Sequence, residues 1–161
     1  MPKKKSKKET TSKKNASSSP KISQKQEGVK PKEGKRFPIN HFEIPFDDLE
    51  RTKKFYGSIF GWGFVDMPEM DYTMVYTTEI DKNQMPTTPG AVNGGFTKRN
   101  PHQNSPTLVM TVDSVDETSK LIEATGGELL SEVIPVGDMG LYQLFKDPEG
   151  NVMGIYQVLK M

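Results

Sequence analysis

Phe37-Pro38-Ile39-Asn40-His41-Phe42-Glu43-Ile44-Pro45-Phe46 decides the fold, because its pattern and its sequel return later in the chain. Its β-branched and aromatic residues read as an extended strand. Asp47 and Asp48 then offer an N-cap, and Leu49, Phe55, Tyr56, Ile59 and Phe60 fall on one helical face that Gly61 closes. The second copy opens with Thr107-Leu108-Val109-Met110-Thr111-Val112. It is capped by Asp113 or Ser114 and runs through Val115, Leu121, Ile122 and Ala124 to Gly126-Gly127. A shift of 66 lays Leu49 on Val115, Thr52 on Thr118, Lys54 on Lys120, Phe55 on Leu121 and Gly61 on Gly127.

Three short strand candidates follow each helix: 63–67, 72–78 and 91–97, then 129–135, 141–145 and 151–159. Turn signals at Pro68-Glu69, Pro89-Gly90, Gly137-Asp138 and Asp147-Pro148-Glu149-Gly150 separate them. The closing strands align at a shift of 60, Gly90 through Phe96 over Gly150 through Tyr156. The reading is an α+β domain over residues 37–161, made of two βαβββ modules at about 37–98 and 106–159.

Composition narrows the chemistry. With no Cys there is no disulfide framework and no thiolate metal site or nucleophile, so His, carboxylates and hydroxyls must serve. No apolar run nears the roughly 18 residues of a membrane span, and the N-terminus lacks the apolar stretch of a signal peptide, so a cytoplasmic protein with no membrane association is expected. Charge divides sharply. Residues 1–36 hold 13 of the 22 Lys and Arg but only Glu9, Glu27 and Glu33, whereas the rest carries twice as many acidic as basic side chains. With so few apolar residues, 1–36 reads as a disordered lysine-rich tail. It is an inert extension, a partner for the acidic domain, or a weak, salt-sensitive nucleic-acid contact through Lys3, Lys4, Lys5, Lys7 and Lys8; no interleaved aromatic offers a stacking platform for bases.

His41-Phe42-Glu43-Ile44-Pro45, then Asp48-Leu49-Glu50-Arg51 and Phe55-Tyr56-Gly57-Ser58-Ile59-Phe60-Gly61-Trp62, resembles the opening module of the vicinal-oxygen-chelate superfamily, in the subgroup related to lactoylglutathione lyase. Asp147-Pro148-Glu149-Gly150-Asn151 resembles its closing turn, and the likeness covers residues 37–159. The resemblance implies two curved mixed sheets around a cleft, often in a homodimer that sometimes swaps halves, with Thr97 to Pro106 as the hinge here. It implies no single reaction, since such folds host isomerases, dioxygenases, epimerases, transferases and non-catalytic binders.

In metal-dependent members the ligands come from the first and last strand of each half. The repeat puts those positions at His41, Thr107, Gly94 and Gly154, one strong donor of four. A divalent cation needs three or more converging N or O donors, so no metal or other cofactor is expected unless Glu43, Asp147 or Glu149 turns inward. Without one, His41 and Glu43 are either cleft hydrogen-bonding or acid–base groups, or satisfied buried polar residues. Gly94 and Gly154 relieve a curved strand or enlarge the cleft for an organic ligand. Tyr72, Tyr76, Tyr142, Tyr156, Trp62, Phe96, Met74, Met110 and Met153 are candidate wall residues. Phe96 and Tyr156 stand out because each lies two places beyond a ligand-position glycine. His102 reads as a solvated loop histidine. The expected function is small-molecule binding without a catalytic metal; the alternatives are a metal-dependent lyase, isomerase or dioxygenase, and an interaction module built on the basic tail.

Overall fold

The computed structural model describes residues 35–159; the expected disorder and nucleic-acid contact of the 1–36 tail fall outside the described residues except at Lys35 and Arg36. The elements are β1 (Ile39–Phe46), α1 (Leu49–Phe60), β2 (Gly63–Met67), β3 (Tyr72–Tyr76), β4 (Gly94–Lys98), β5 (Thr107–Val112), α2 (Val115–Ala124), β6 (Glu128–Leu129), β7 (Ile134–Val136), β8 (Gly140–Lys146) and β9 (Val152–Val158). Both halves are βαβββ. The second is interrupted: the continuous strand expected over 129–135 is two pieces, β6 and β7, which both pair with β8.

Local chemistry sets the helix limits. Asp48, in extended backbone, accepts the Arg51 amide at 2.9 Å to start α1, and Gly61 ends it in the left-handed region at φ 69°. Ser114 caps α2 by accepting the Glu117 amide, which frees Asp113 to pair with Lys35. The left-handed glycine after α2 is Gly126, not Gly127, so the 66-residue register holds at the helix starts and drifts at their ends.

The strand order is β2-β3-β4-β1-β5-β9-β8-β6. Within each half the first and last strands are parallel, β1 with β4 and β5 with β9, and the halves of this one chain join through antiparallel β1 and β5. Their register pairs Phe42 with Leu108, residues 66 apart, so the local twofold of the repeat passes through that pair. One sheet thus curves around a cleft, with both helices on its other face.

Each half has a packed cluster on the helix side, and Thr107, Val109 and Leu144 are buried on the opposite face. In the second half Val112, Val115, Phe145 and Ile155 are buried together, with Met110 and Met153 packed against them. In the first, Phe96 is fully buried between Tyr56 and Phe64, and Tyr56 stacks on Trp62 at 4.8 Å. α1 departs from its expected face. Leu49, Thr52, Lys53 and Tyr56 are its more sheltered residues, at helical spacing, while Phe55, Ile59 and Phe60 remain more than half exposed. Gly57 lets the helix come down on Phe64, and this rotates those three outward.

Candidate functional site

Strand alternation sends every second residue to the face opposite the helices. On β1 and β5 those are His41 and Glu43, paired with Val109 and Thr107. On β4 it is Gly95, and on β9 Gly154 and Tyr156; across from them on β3 and β8 stand Tyr72 with Met74 and Tyr142 with Leu144. The face is aromatic and aliphatic, with a few polar groups at its centre.

Each half builds the same small device there. A Cβ added to Gly95 would overlap the Tyr72 hydroxyl, and one added to Gly154 would come within 2.8 Å of the Tyr142 ring and 3.1 Å of Val109. A glycine near the start of the parallel strand therefore cradles a tyrosine from the neighbouring strand in each half. The partners differ. Tyr72 meets Nε2 of His41 at 2.6 Å within its own half. Tyr142 reaches across the twofold and donates to Oε2 of Glu43 at 2.7 Å, and that oxygen also accepts from the Gln103 amide. Gln103 comes from the connection between the halves, where Asn100 Oδ1 accepts the amides of His102 and Gln103 and turns the latter inward to 4% exposure.

Burial sets the protonation states. Desolvation pushes His41 down from 6.5 to about 4, so the ring is neutral near neutrality. Burial also holds the Tyr72 phenol above its ordinary range, with the charge of Glu43 adding to it. The arrangement that satisfies both groups has the phenol donating to Nε2, which leaves the ring proton on Nδ1. Glu43 is raised by burial against the opposing hydrogen bonds from Tyr142 and Gln103. Both of those bonds fall on Oε2. Among the described residues no hydrogen bond reaches Oε1, and that oxygen keeps contact with solvent.

The structure brings His41, Glu43, Thr107, Gly154 and Tyr156 to this one face and turns two expected members away. Gly94 lies on the helix side, where its α-carbon faces the Phe42 ring, and Phe96 is core. The position matching Gly154 is Gly95. The strand register gives a shift of 59, laying Gly95 on Gly154 and Phe96 on Ile155, whereas the turn glycines Gly90 and Gly150, both left-handed, give 60. One extra residue between turn and strand in the first half reverses the facing of everything after it. Met110, Met153 and Trp62 also belong to the helix side. His102 is exposed in the connection, as expected. Tyr72, Tyr142 and Gln103 carry more of the site than the sequence suggested. The signal for the tyrosines was a Tyr on the strand before each closing strand; Gln103 left none.

As metal ligands the four family positions offer an imidazole, a hydroxyl and two glycines, and tyrosine hydroxyls fill the space above both glycines. Among the described residues no three His, Asp or Glu side chains converge. Asp147 is occupied by the amides of its own turn and by Asn151, so it does not bend inward. This donor set does not fit a divalent ion.

Residues 39–78 match the family described as bleomycin resistance protein-like N-terminal. A glyoxylase-like domain-containing protein of Didymella fabae is 33% identical over 122 residues, 73% of this chain and 91% of that protein. The CFP32 protein of Mycobacterium bovis is 29% identical over 123 residues, and this chain spans only 44% of its length. Among solved structures, methylmalonyl-CoA epimerase of Mycobacterium tuberculosis shares the fold at a TM-score of 0.52 and 13% identity, covering 75% of this chain and 87% of that one. A doubled βαβββ sheet joined at its first strands, together with these relatives, places the chain in the vicinal-oxygen-chelate superfamily of glyoxalase and bleomycin-resistance proteins.

Proposed function

We propose that this protein binds a small organic molecule on the open face of its sheet and does so without a resident catalytic metal. One observation carries the reading: where metal-dependent relatives converge donors, this chain sets tyrosines in glycine cradles and leaves a single imidazole. Such a surface, apolar and aromatic with a few fixed polar groups, suits an organic ligand. The relative named as a glyoxylase-like domain supports the class without specifying a reaction. A metal-dependent lyase, isomerase or dioxygenase would need donors that this face lacks.

Elemental analysis of full-length protein purified without chelators tests the reading. Nickel, zinc, manganese and iron are expected far below one ion per chain, and metal added back is expected to leave the thermal midpoint unchanged. A near-stoichiometric ion, lost together with stability on His41→Ala, would overturn the proposal in favour of a metal-dependent enzyme.

A further inference from the structure

A ligand reaching this face beside Glu43 meets two tyrosines whose hydroxyl protons are already engaged. Tyr72 and Tyr142 have given their protons to His41 and Glu43, so toward a third group they show ring faces and oxygen lone pairs. Glu43 is 8% exposed, yet its Oε1 has no partner among the described residues and touches solvent. A carboxylate so buried is expensive to ionise unless something compensates it, and among the described residues its compensation is two neutral donors, both on the other oxygen.

Compensating cations are directed elsewhere. Lys53 lies on the helix side between Glu50 and Asp66, and Arg99 is held by Asp47 at the end of β1. Lys146, the one lysine that alternation puts on this face of β8, is paired with Glu128 at the rim. Strands β1, β3, β4, β5 and β9 put no Lys or Arg on the open face. Among the described residues the strands thus set one under-compensated carboxyl group on this face, with aromatic rings beside it and no Lys or Arg except the paired Lys146.

We infer that the ligand carries an amine or ammonium group, which lies against the tyrosine rings and takes Glu43 Oε1 as its counter-charge. This rests on the open face being the ligand site. The two halves of the inference are independent chemistry: rings attract a cation through their quadrupole, and the carboxylate attracts it by charge and by hydrogen bonding. An anionic ligand of the same shape would place its charge against Glu43 with no cation to offset it.

Three probes that share one ring and differ in charge test this on the full chain: benzylammonium, benzyl alcohol and benzoate, each titrated while backbone amide resonances are followed by NMR. Benzylammonium is expected to shift resonances of β1, β4 and β8 and to bind about tenfold more tightly than benzyl alcohol, with benzoate weakest. Glu43→Gln preserves size and an acceptor oxygen; it is expected to shrink the advantage of benzylammonium over benzyl alcohol to the part the rings supply, about threefold. Benzoate binding these strands as tightly as benzylammonium would overturn the charge assignment while leaving the ligand site in place, and so would a benzylammonium advantage left at its wild-type size by Glu43→Gln. If none of the three perturbs β1, β4 or β8, the site itself is wrong. The wild-type series needs no variant, so it decides the charge assignment even if Glu43→Gln misfolds.

Discussion

The two halves of this sheet are the same device finished differently. On the open face each sets a tyrosine over a glycine, Tyr72 over Gly95 and Tyr142 over Gly154. On the helix side each buries one large residue beside that glycine, Phe96 in the first half and Ile155 in the second. The surroundings diverge: Phe96 sits in an aromatic cluster with Tyr56 and Phe64, whereas Ile155 lies among Val112, Val115 and Phe145. The polar groups diverge more. The counterpart of His41 is Thr107 and that of Glu43 is Val109, so the imidazole and the carboxyl group of the site both belong to β1, and from the second half Tyr142 reaches over to bond Glu43. The cradle recurs in both halves while the tyrosine's partner differs, His41 in one and Glu43 in the other.

The hardest way to break the symmetry is through the cores. Phe96→Ala empties a fully enclosed aromatic site, and a loss of about 3–5 kcal/mol is expected in urea unfolding. Ile155→Ala should cost roughly 2–5 kcal/mol by the same mechanism, its smaller side chain leaving the smaller cavity. If Phe96→Ala proved nearly neutral, Phe96 would be a wall of the cleft, as its spacing from Gly94 had suggested, and the 59-residue register would be wrong.

A change of pH probes the asymmetry instead. His41 titrates near 4 in the folded chain and near 6.5 when unfolded, so between those values the unfolded chain binds a proton that the folded chain refuses. Stability is therefore full above pH 6.5 and falls as the pH drops through 4, by up to roughly 3 kcal/mol. Glu43 acts in the opposite sense. Its folded value is raised, so its contribution is full below the ordinary 4.5 and is lost as the pH rises through the folded value. Urea unfolding at about pH 7 and about pH 4.5 should show a smaller acid loss in His41→Gln than in the wild type, and a steeper one in Glu43→Gln. Equal acid losses in all three proteins would place both groups in ordinary solvent. Thr107 and Val109 cannot titrate, so the second half has no counterpart to this effect.

The repeat was legible because its signals are local. Caps, a helical run and a terminal glycine recur at one spacing, and the strands after them are short and separated by strong turn residues. Facing was not legible in the closing strand. Side chains alternate with period two, so the single residue added between Gly90 and Gly95 moves Gly94 and Phe96 to the helix side while the turns still align. The shared face of His41, Glu43 and Thr107 was legible because β1 and β5 lead into their helices at a fixed register. The failure of α1 to bury Phe55, Ile59 and Phe60 has a different cause: helical periodicity gives a face but not its rotation, and Gly57 against Phe64 set the rotation here. The bond from Gln103 to Glu43 depends on a turn in the connection, and nothing periodic marks it.

The smallest expected difference tests the cradles themselves. In Gly95→Ala the new methyl overlaps the Tyr72 hydroxyl, so the ring must swing away and the bond to His41 is lost. In Gly154→Ala the new methyl stands 2.8 Å from a ring carbon of Tyr142 and 3.1 Å from Val109, a clash that a shift of the ring can ease with its bond to Glu43 kept. Overpacking then costs Gly95→Ala about 2 kcal/mol and Gly154→Ala roughly 1 kcal/mol, and both are measurable in urea unfolding. A second measurement separates the causes: in Tyr72→Ala the overlapping oxygen and the ring carbons behind it are both gone, so adding Gly95→Ala to that background should cost less than it does alone. If the two changes were simply additive, the penalty at Gly95 would come from the strand backbone, and the cradle would be a consequence of sheet curvature instead of a seat for the tyrosine.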